Sequence, residues 1–590
     1  MKQDISNNLR IVYTGKEESK MNIIDLAVTP QALVYLHSLG NRQYLKPVDF
    51  ISPQEIKDIK QWTVETVMSM AAEWKEFGKM TPEFINAVGL DLCILLETLI
   101  EADIIISKIW DSNNYANIHT DSTTISYNNM LQYEIPGYQY IELLNDELWV
   151  SIRKIKVEKG QLFSNPNYIN KTVFDPPYWK KIIKYFLSVN RVIRQMEISL
   201  VAYFLIKLGL RRPPTPSLFV VTNKDNVEML QYKKSIILDD YLTMLPSDSL
   251  KVNKLQIEII DSLEAWFDMN TPVMESIKLY KNIVKKRITE FIKTRKDLLS
   301  AYIKTKSLKS PDTLKLILSG AIGCGKDAWA SMAIEEDGGI VASTQHGGSY
   351  GSYHPILLFS DIRFNYFFSY GKPEISPFFQ FSQDHSKAKW VKTGSSTLFK
   401  IQNSCDAPPK EVKTILYIMN LCVPFYSCNF PWEFVLQQFK VLEVLHLYAL
   451  KYTIHVKAEY SGTVKSNNYP GLKFINDSPK EVMHKYDLLI VESGISTAIL
   501  EAAVTNKFIV AVTSAVWEDS SKESLDMLAE RAECFTTYDD FLIGLKKILD
   551  DPEKHLDPAK LSARNFIDTY CNTVSPESYV NTIKKTMGLE

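Results

Sequence analysis

The sequence has few cysteines and histidines, and they do not form the patterns of a disulfide-stabilised or zinc-binding protein. Seven Cys are scattered among 590 residues, and no two of them form a Cys-x-x-Cys pair. The nine His include no His-Glu-x-x-His and no grouping at zinc spacing. An odd set of separated thiols in a large chain is typical of a reduced, intracellular protein. We therefore expect neither disulfides nor a metal site.

A strong charge of one sign and a long apolar run are also absent. Lys and Arg number 67 against 69 Asp and Glu, for a net charge of -2, so a nucleic-acid-binding protein is not expected. The N-terminus lacks the apolar stretch of a signal peptide. The most apolar segments, Leu92 to Trp110 and Ile193 to Leu210, both carry charged residues and are poor membrane spans. These absences predict a cytoplasmic protein.

Residues 1–407 are predicted to form an N-terminal α/β domain with a large helical insertion. A strand, a helix and a second strand follow one another in the first 50 residues, which favours a parallel sheet. From about 54 to 210, apolar residues recur at spacings of three and four. This spacing predicts long helices, the last of them over 181–210. The strand pattern resumes at 218–222.

Residues 408–590 are predicted to form a second, Rossmann-like domain. Strand-like runs alternate regularly with helical patterns, and the strands are expected over 413–419, 452–457, 487–492 and 508–513. This alternation is typical of a doubly wound α/β fold. We expect the two domains to face each other across a cleft.

A long helix over 273–309 is predicted to be strongly basic. Ten Lys or Arg lie between 281 and 309, against only Glu290 and Asp297. Such a helix could lie on an anionic membrane surface, at the inner membrane. The alternative is a solvated charged face without a partner.

The segment from Gly320 to Asp327 has the spacing of a phosphate-binding P-loop, with Lys326 at the lysine position. The last position requires a hydroxyl for magnesium, and here it is the carboxylate of Asp327. A glycine-rich turn between strand and helix, with Lys326 lining the cleft, is the preferred interpretation.

A second glycine-rich segment follows the predicted strand over 339–344. It contains Gln345, His346, Gly347, Gly348 and Tyr350. The paired glycines let backbone N–H groups approach a substrate, and the histidine can exchange a proton near neutral pH. The structural alternative is a turn with a hydrogen-bonded histidine. We expect these residues to line the cleft, with His346 acting chemically.

A third segment resembles a phosphate-binding strand-to-helix turn. Gly494 lies in the turn after a strand, and Ser496 or Thr497 begins the helix. Glu501 follows Thr497 by four positions, so the two side chains share a helix face. The hydroxyl could bind a phosphate and the carboxylate could accept hydrogen bonds from a sugar. Ordinary helix capping is the alternative.

Further donor-site candidates lie on neighbouring strands and loops of the second domain. The alternating strand over 452–457 places His455 and Lys457 on one face near its carboxyl end, where a cation could neutralise phosphate. The loop from Asn420 to Trp432 supplies backbone groups and rings that suit a nucleobase.

Three segments of the chain together resemble a bacterial family of surface-carbohydrate transferases. They are QHGGSYG at 345–351, FSDIRFNYFFSYG at 359–371 and ISTAILEA at 495–502. The opening VTPQALVYLHSLG, followed by VDFIS, is similar to the first βα unit of capsule and lipopolysaccharide Kdo transferases.

The resemblance implies a metal-independent GT-B glycosyltransferase without a resident cofactor, whose second domain binds a nucleotide-sugar. The donor is expected to be a CMP-linked Kdo or nonulosonate, and the acceptor a glycan or lipid-linked glycan of surface polysaccharide or lipopolysaccharide. Ser496 and Thr497 would bind phosphate, Glu501 the ribose, and Lys457 would offset leaving-group charge. His346 or Asp361 would act as general base.

Two other functions use the same sequence features. A CDP-alcohol phosphotransferase could have the same scaffold. A nucleotide-binding assembly protein, or an ATPase using Lys326, would be the alternative without glycosyl transfer.

Overall fold

A computed structural model shows an α/β protein built on parallel sheets. The residues that the structure describes are 8–12, 23–28, 44–77, 83–112, 115, 117–121, 138–160, 178–214, 216–221, 226–231, 235–308, 314–319, 325–345, 363–372, 386–405, 407–419, 433–457, 469–492, 497–513 and 522–589. Within these ranges the strands form three sheets, one of five strands and two of six.

The first sheet has the order β3-β2-β1-β4-β5, and its strands are parallel. They are β1 (Asn8–Val12), β2 (Ile23–Ala27), β3 (Tyr44–Leu45), β4 (Ile118–Asp121) and β5 (Val157–Gly160). The accompanying helices are α1 (Pro53–Phe77), α2 (Phe84–Ser112), α3 (Tyr138–Asn145) and α4 (Glu147–Arg153). Arg10 and Asp25 form a buried ion pair between β1 and β2, with Nη2 and Oδ1 2.7 Å apart.

The second sheet has the order β11-β10-β9-β8-β6-β7 and is also parallel. Its strands are β6 (Leu218–Val220), β7 (Ser235–Ile237), β8 (Lys315–Ser319), β9 (Ile340–Thr344), β10 (Tyr366–Ser369) and β11 (Lys389–Lys392). The helices of this part are α5 (Tyr178–Gln195), α6 (Leu200–Lys207), α7 (Leu238–Met244), α8 (Ser249–Phe267), α9 (Pro272–Ser276), α10 (Lys281–Thr294), α11 (Lys296–Lys306) and α12 (Lys326–Glu336).

The third sheet has the order β14-β13-β12-β15-β16-β17, the strand order of a Rossmann domain. Its strands are β12 (Thr414–Ile418), β13 (Thr453–Lys457), β14 (Lys473–Ile475), β15 (Leu488–Glu492), β16 (Phe508–Val512) and β17 (Glu533–Phe535). The helices are α13 (Ser396–Asn403), α14 (Glu433–Leu447), α15 (Pro479–Val482), α16 (Thr497–Ala503), α17 (Lys522–Arg531), α18 (Tyr538–Asp550), α19 (Pro552–His555) and α20 (Pro576–Met587).

The α/β class and the pair of Rossmann-type sheets predicted from the sequence are confirmed. The helices predicted between 54 and 210 are present, but the first strands do not join the sheet that begins at Leu218. They form a sheet of their own with β4 and β5, which lie between the helices of the expected insertion. These two strands have four residues each, too few to show an alternating pattern.

Two predicted long helices are broken in the structure. The helix expected over 181–210 ends at Gln195, and a new helix begins after Ser199, whose hydroxyl accepts a hydrogen bond from the Ala202 N–H. Glu197 between them has a φ of 53°, which a continuous helix cannot contain. The segment 273–309 is divided into α9, α10 and α11. Of the described helices, none combines the length and the apolar content needed to cross a bilayer.

Over the described residues 281–308, this basic segment turns its apolar side chains towards the protein core, in contrast to the docking interpretation of its sequence. Ile283, Ile288 and Phe291 of α10 are buried in the core shared with α1 and α2. Basic residues of this segment are paired within the protein, as Lys285 is with Asp268 at 2.7 Å. These helices are therefore core elements with a solvated charged side.

The second and third sheets are connected twice. The chain passes from β11 through α13 into β12, and it later returns so that α20 packs on the second sheet. On this return, the Lys372 N–H donates to the Thr569 carbonyl at 2.7 Å, and the Ser395 N–H donates to the Asn572 carbonyl at 3.0 Å. Gly371 permits the close backbone approach, because a Cβ there would clash with Thr569. The returning segment thus restrains one sheet against the other.

A substitution at Gly394 tests how closely this returning segment packs against the second sheet. Gly394 has a φ of 78°, and an added Cβ would lie 2.5 Å from the Asn572 carbonyl oxygen. Gly338 is the control, since its φ of 82° is similar but no atom lies within 4 Å of its added Cβ. We expect Gly338→Ala to cost about 1 kcal/mol from the backbone conformation alone. Gly394→Ala should lower the melting temperature further, by overpacking worth about 1–3 kcal/mol more. Equal melting temperatures for the two variants would show that the contact with Asn572 is loose.

Candidate functional site

The candidate site lies at the carboxyl edge of the third sheet. β12 and β15 are neighbours there, and the strand order reverses between them. Crevices outside the carboxyl ends of strands at such a reversal are the ligand-binding places of open α/β sheets. Ile418 pairs in register with Lys457 on one side and Val491 on the other, so three strands end at the same level.

His455 and Lys457 lie on one face of β13, as predicted. They pair in register with Leu416 and Ile418, whose side chains belong to the same core cluster as those of α16. The Lys457 ammonium is turned towards β14 and donates to the Asn476 carbonyl at 3.2 Å. Lys457 is half-buried, so its side chain can reach a ligand at the sheet edge by a change of rotamer.

His455 is not the phosphate-neutralising cation of this edge. Its Nδ1 lies 2.5 Å from the Tyr486 hydroxyl. Burial, and secondly the charge of Lys473, lower the pKa of His455 below its ordinary value. The imidazole is therefore neutral at neutral pH, and Lys457 remains as the described cation on this face of the strand.

α16 brings Thr497 and Glu501 to the edge on one helical face. Thr497 is the first residue of the helix and half-buried, whereas Glu501 is only 3% exposed. The neighbouring Ile499, Leu500 and Ala502 pack into the core of the third sheet, which fixes the rotation of the helix. The carboxylate is thereby held within the protein one turn behind the helix start.

Arg531 fixes the other end of α16, a role that was not predicted from the sequence. Its Nε donates to the Ala503 carbonyl at 3.1 Å, and its Nη2 donates to the carbonyls of Thr505 at 2.6 Å and Lys507 at 3.1 Å. Burial lowers the pKa of Arg531 to about 10, so the guanidinium is still charged at neutral pH. A cation at the C-terminal end of a helix is favourable for the helix dipole. An arginine in an ordinary amphipathic helix carries no sequence signal for this role.

Glu492 forms a second buried anchor at the end of β15, and it was also missed. Its carboxylate accepts hydrogen bonds from the Tyr417 hydroxyl and from the Gln438 side-chain amide, the latter at 2.6 Å. It is 1% exposed and lies on the sheet face opposite α16. These bonds tie β12, β15 and α14 together at the end of β15.

Gln345, predicted to line the cleft, forms internal hydrogen bonds at the end of β9. It is buried, and its Oε1 accepts a hydrogen bond from the Tyr370 N–H at 2.8 Å. Its own N–H donates to the Phe368 carbonyl at 2.9 Å. The side chain thus joins the ends of β9 and β10, because an amide can replace the backbone partner that a sheet edge lacks.

Several predicted site residues lie outside the described residues. They are His346, Gly347, Gly348, Tyr350, Asp361, Asn420, Gly494 and Ser496. Among the residues that are described, no group of three or more His, Cys, Asp or Glu could hold a metal ion.

Lys326 begins α12 and is exposed, and Asp327 lies in the first turn of the same helix. In a P-loop the backbone N–H groups of such a helix start bind phosphate. A carboxylate in that turn would repel a phosphate, which argues against nucleotide hydrolysis at Lys326.

The charge of Asp327 should reduce stability at neutral pH. Burial raises the pKa of Asp327, and the nearby carboxylates of Asp239 and Asp91 add to the shift, although the backbone N–H groups of Asp327 and Ala328 oppose it. The protein therefore loses stability as the pH rises from the ordinary aspartate pKa, about 3.9, through the raised pKa of the folded state. We expect Asp327→Asn, which keeps a capping oxygen, to raise the melting temperature at neutral pH, and the gain to vanish below about pH 4.

Asp297→Asn is the matched control for that experiment. Burial acts to raise the pKa of Asp297, but the hydrogen bond and charge of Arg295 outweigh it and lower this pKa. Replacing the Asp297 carboxylate by a neutral amide should therefore lower the melting temperature at neutral pH, the opposite of the effect at Asp327. A fall in melting temperature for both variants would contradict the assigned environment of Asp327.

The comparisons with known proteins give structural similarity only. No protein-family model matches the chain, and no curated protein matches its sequence. A single-residue variant of the wall teichoic acid polymerase TagF is 12% identical over 50% of this chain and 86% of its own, with a TM-score of 0.27. WaaG, a glycosyltransferase involved in lipopolysaccharide biosynthesis, is 10% identical over 49% of this chain and 95% of its own, with a TM-score of 0.25. CalG4, the calicheamicin glycosyltransferase, is 10% identical over 63% of this chain and 98% of its own, with a TM-score of 0.32. Similarity at this level assigns neither an activity nor a substrate.

Proposed function

We propose that the chain is a glycosyltransferase that takes a sugar from a nucleotide donor at the third sheet and passes it to a glycan acceptor at the second. The observation that carries this proposal is the pair of parallel six-stranded sheets joined twice in one chain. Each parallel sheet offers one ligand-binding carboxyl edge. Group transfer between two substrates requires two such surfaces in a fixed relation, because alignment of the reacting atoms supplies much of the rate.

The donor nucleotide is proposed to bind along α16. Thr497 and Glu501 are separated by four residues, or about 6 Å along the helix axis. This distance suits a nucleotide whose phosphate meets the hydroxyls of Ser496 and Thr497 while its ribose donates hydrogen bonds to Glu501. Lys457 would offset the charge of the leaving phosphate, and the loop that begins at Asn420 would contact the base. A buried carboxylate gains most from such bonds, because water competes little there.

The proposed donor is a CMP-linked acidic sugar, Kdo or a nonulosonate, used for surface polysaccharide or lipopolysaccharide. This choice is supported by the resemblance of the segments at 345–351, 359–371 and 495–502 to surface-carbohydrate transferases. A thermal-shift screen against CMP, CDP, UDP, GDP and ATP tests it, since a bound ligand raises the melting temperature. The largest shift is expected with CMP. A shift with ATP alone would contradict the proposal.

Substitutions on α16 test the donor site. Thr497→Ala and Glu501→Gln should each weaken CMP binding by about 1–3 kcal/mol, as expected for lost buried or charge-assisted hydrogen bonds. Isothermal titration calorimetry measures the affinity. Glu492→Gln is the control, because Glu492 lies at the same sheet edge and is equally buried but belongs to the opposite face. Its substitution should lower the melting temperature and leave CMP affinity unchanged. Unchanged affinity in folded Glu501→Gln would exclude this position for the ribose.

The acceptor side is proposed to use His346 as general base. Gln345 precedes it and is fixed to Tyr370, so the chain leaves β9 from a rigid point. His346→Ala should lower turnover by about two to four orders of magnitude, the usual contribution of a positioned base. CMP affinity should remain unchanged, because the donor is held by the third sheet.

His346→Gln separates proton transfer from positioning. A glutamine can donate and accept hydrogen bonds but cannot take up a proton at neutral pH. Turnover as low as in His346→Ala supports the general base. If His346→Gln turned over nearly as fast as the unaltered enzyme, His346 would not be the general base, and Asp361 would become the candidate.

A further inference from the structure

The helices α5 and α6 expose an unusual number of large apolar side chains. Phe186, Val201, Leu208 and Leu210 are exposed by 66%, 68%, 69% and 73%. With four neighbours they form the surface that we name the α5–α6 face: Ile183, Phe186, Leu187, Leu200, Val201, Phe204, Leu208 and Leu210. So many exposed apolar side chains on two consecutive helices mark a site of interaction.

The α5–α6 face is a fixed feature of the fold. On their other sides the two helices bury Val189, Val192, Tyr203 and Ile206, which pack with Tyr241 and with strands of the second sheet. Leu200, Phe204 and Leu208 follow one another at four-residue spacing, so they form one stripe along α6. The apolar stripe therefore points away from the core while its helix is anchored to it.

The segment that carries this face is strongly basic. Residues 178–212 contain eight Lys or Arg, and Glu197 is their only acidic residue. Arg191 is paired with Asp240, and Lys207 donates to the Thr243 carbonyl. Among the described side chains, the exposed basic residues are Lys180, Lys184, Arg194, Arg211 and Arg212.

From this combination we infer that the α5–α6 face docks on the surface of an anionic lipid bilayer. Apolar side chains can enter the interfacial region while neighbouring cations meet lipid phosphates. A second copy of the chain fits less well, because it would bring the same excess of positive charge to the interface. α6 has eight residues and a length of about 12 Å, so it lies on the bilayer and does not cross it.

Vesicle binding tests this inference on the full chain. The protein is mixed with phosphatidylcholine vesicles, with or without phosphatidylglycerol, and the bound fraction is measured by flotation. We expect binding to the anionic vesicles that weakens as salt is raised. The triple variant Val201→Ser, Phe204→Ser and Leu208→Ser should lower the partition coefficient by roughly tenfold or more, since three apolar side chains no longer enter the interface.

The control is Leu447→Ser with Leu450→Ser, which removes two leucines exposed by 72% and 104% outside the α5–α6 face. It should bind like the unaltered protein. Arg211→Glu with Arg212→Glu should lower binding to anionic vesicles and not to neutral ones. Equal binding of the triple variant and the unaltered protein would overturn the inference. The inference would also be overturned if the unaltered protein did not bind vesicles but formed a dimer that the triple variant could not form. In that case the α5–α6 face would join two copies of the chain. The outcome does not depend on glycosyl transfer, which is measured separately.

Discussion

The close packing of residues 567–574 against the ends of the second sheet is the constraint on which the two-sheet arrangement depends. Gly371 and Gly394 have no side chains, and this lets two backbone segments approach and exchange hydrogen bonds. From there α20 buries Tyr579, Ile583 and Met587 on the second sheet. A single linker would leave two α/β units free to move apart. The second connection limits that freedom, which is what transfer between two bound substrates requires.

Buried polar groups give the carboxyl edge of the third sheet its rigidity. Arg531 satisfies three carbonyl groups behind α16, and Glu492 joins β12, β15 and α14 on the other face. A buried charge is tolerated only when hydrogen bonds compensate for its desolvation. Arg531 donates three such bonds within the protein and Glu492 accepts two, so both residues have structural roles. The candidate donor residues Thr497 and Lys457 lie between these anchors and remain accessible in part.

The sequence was sufficient to predict the third sheet and most of its strands, because four buried runs alternate with helices there. Lys457, Thr497 and Glu501 could be predicted to lie at one edge, since parallel strands end together and residues four apart share a helix face. The roles of Gln345, Glu492 and Arg531 depend on partners 25, 75 and about 26 positions away, so no local pattern reveals them. The separate first sheet was missed for a similar reason. Its strands pair across the long helices α1 and α2, and β4 and β5 are too short to stand out.

Two basic segments show how tertiary contacts decide which amphipathic helix can meet a membrane. Both 178–212 and 281–309 combine apolar residues with an excess of Lys and Arg, and the second has more of them. In α10 the apolar residues are core residues, so the helix offers a bilayer only charge. In α6, Tyr203 and Ile206 already anchor the helix, and a second apolar stripe is left over. Charge attracts a protein to an anionic surface, but apolar insertion adds a contribution that salt does not screen. Because α5 and α6 pack on the second sheet, docking through them would hold the sheet that we propose for the acceptor at the lipid surface. A glycosyltransferase that extends a lipid-linked glycan would meet its acceptor there.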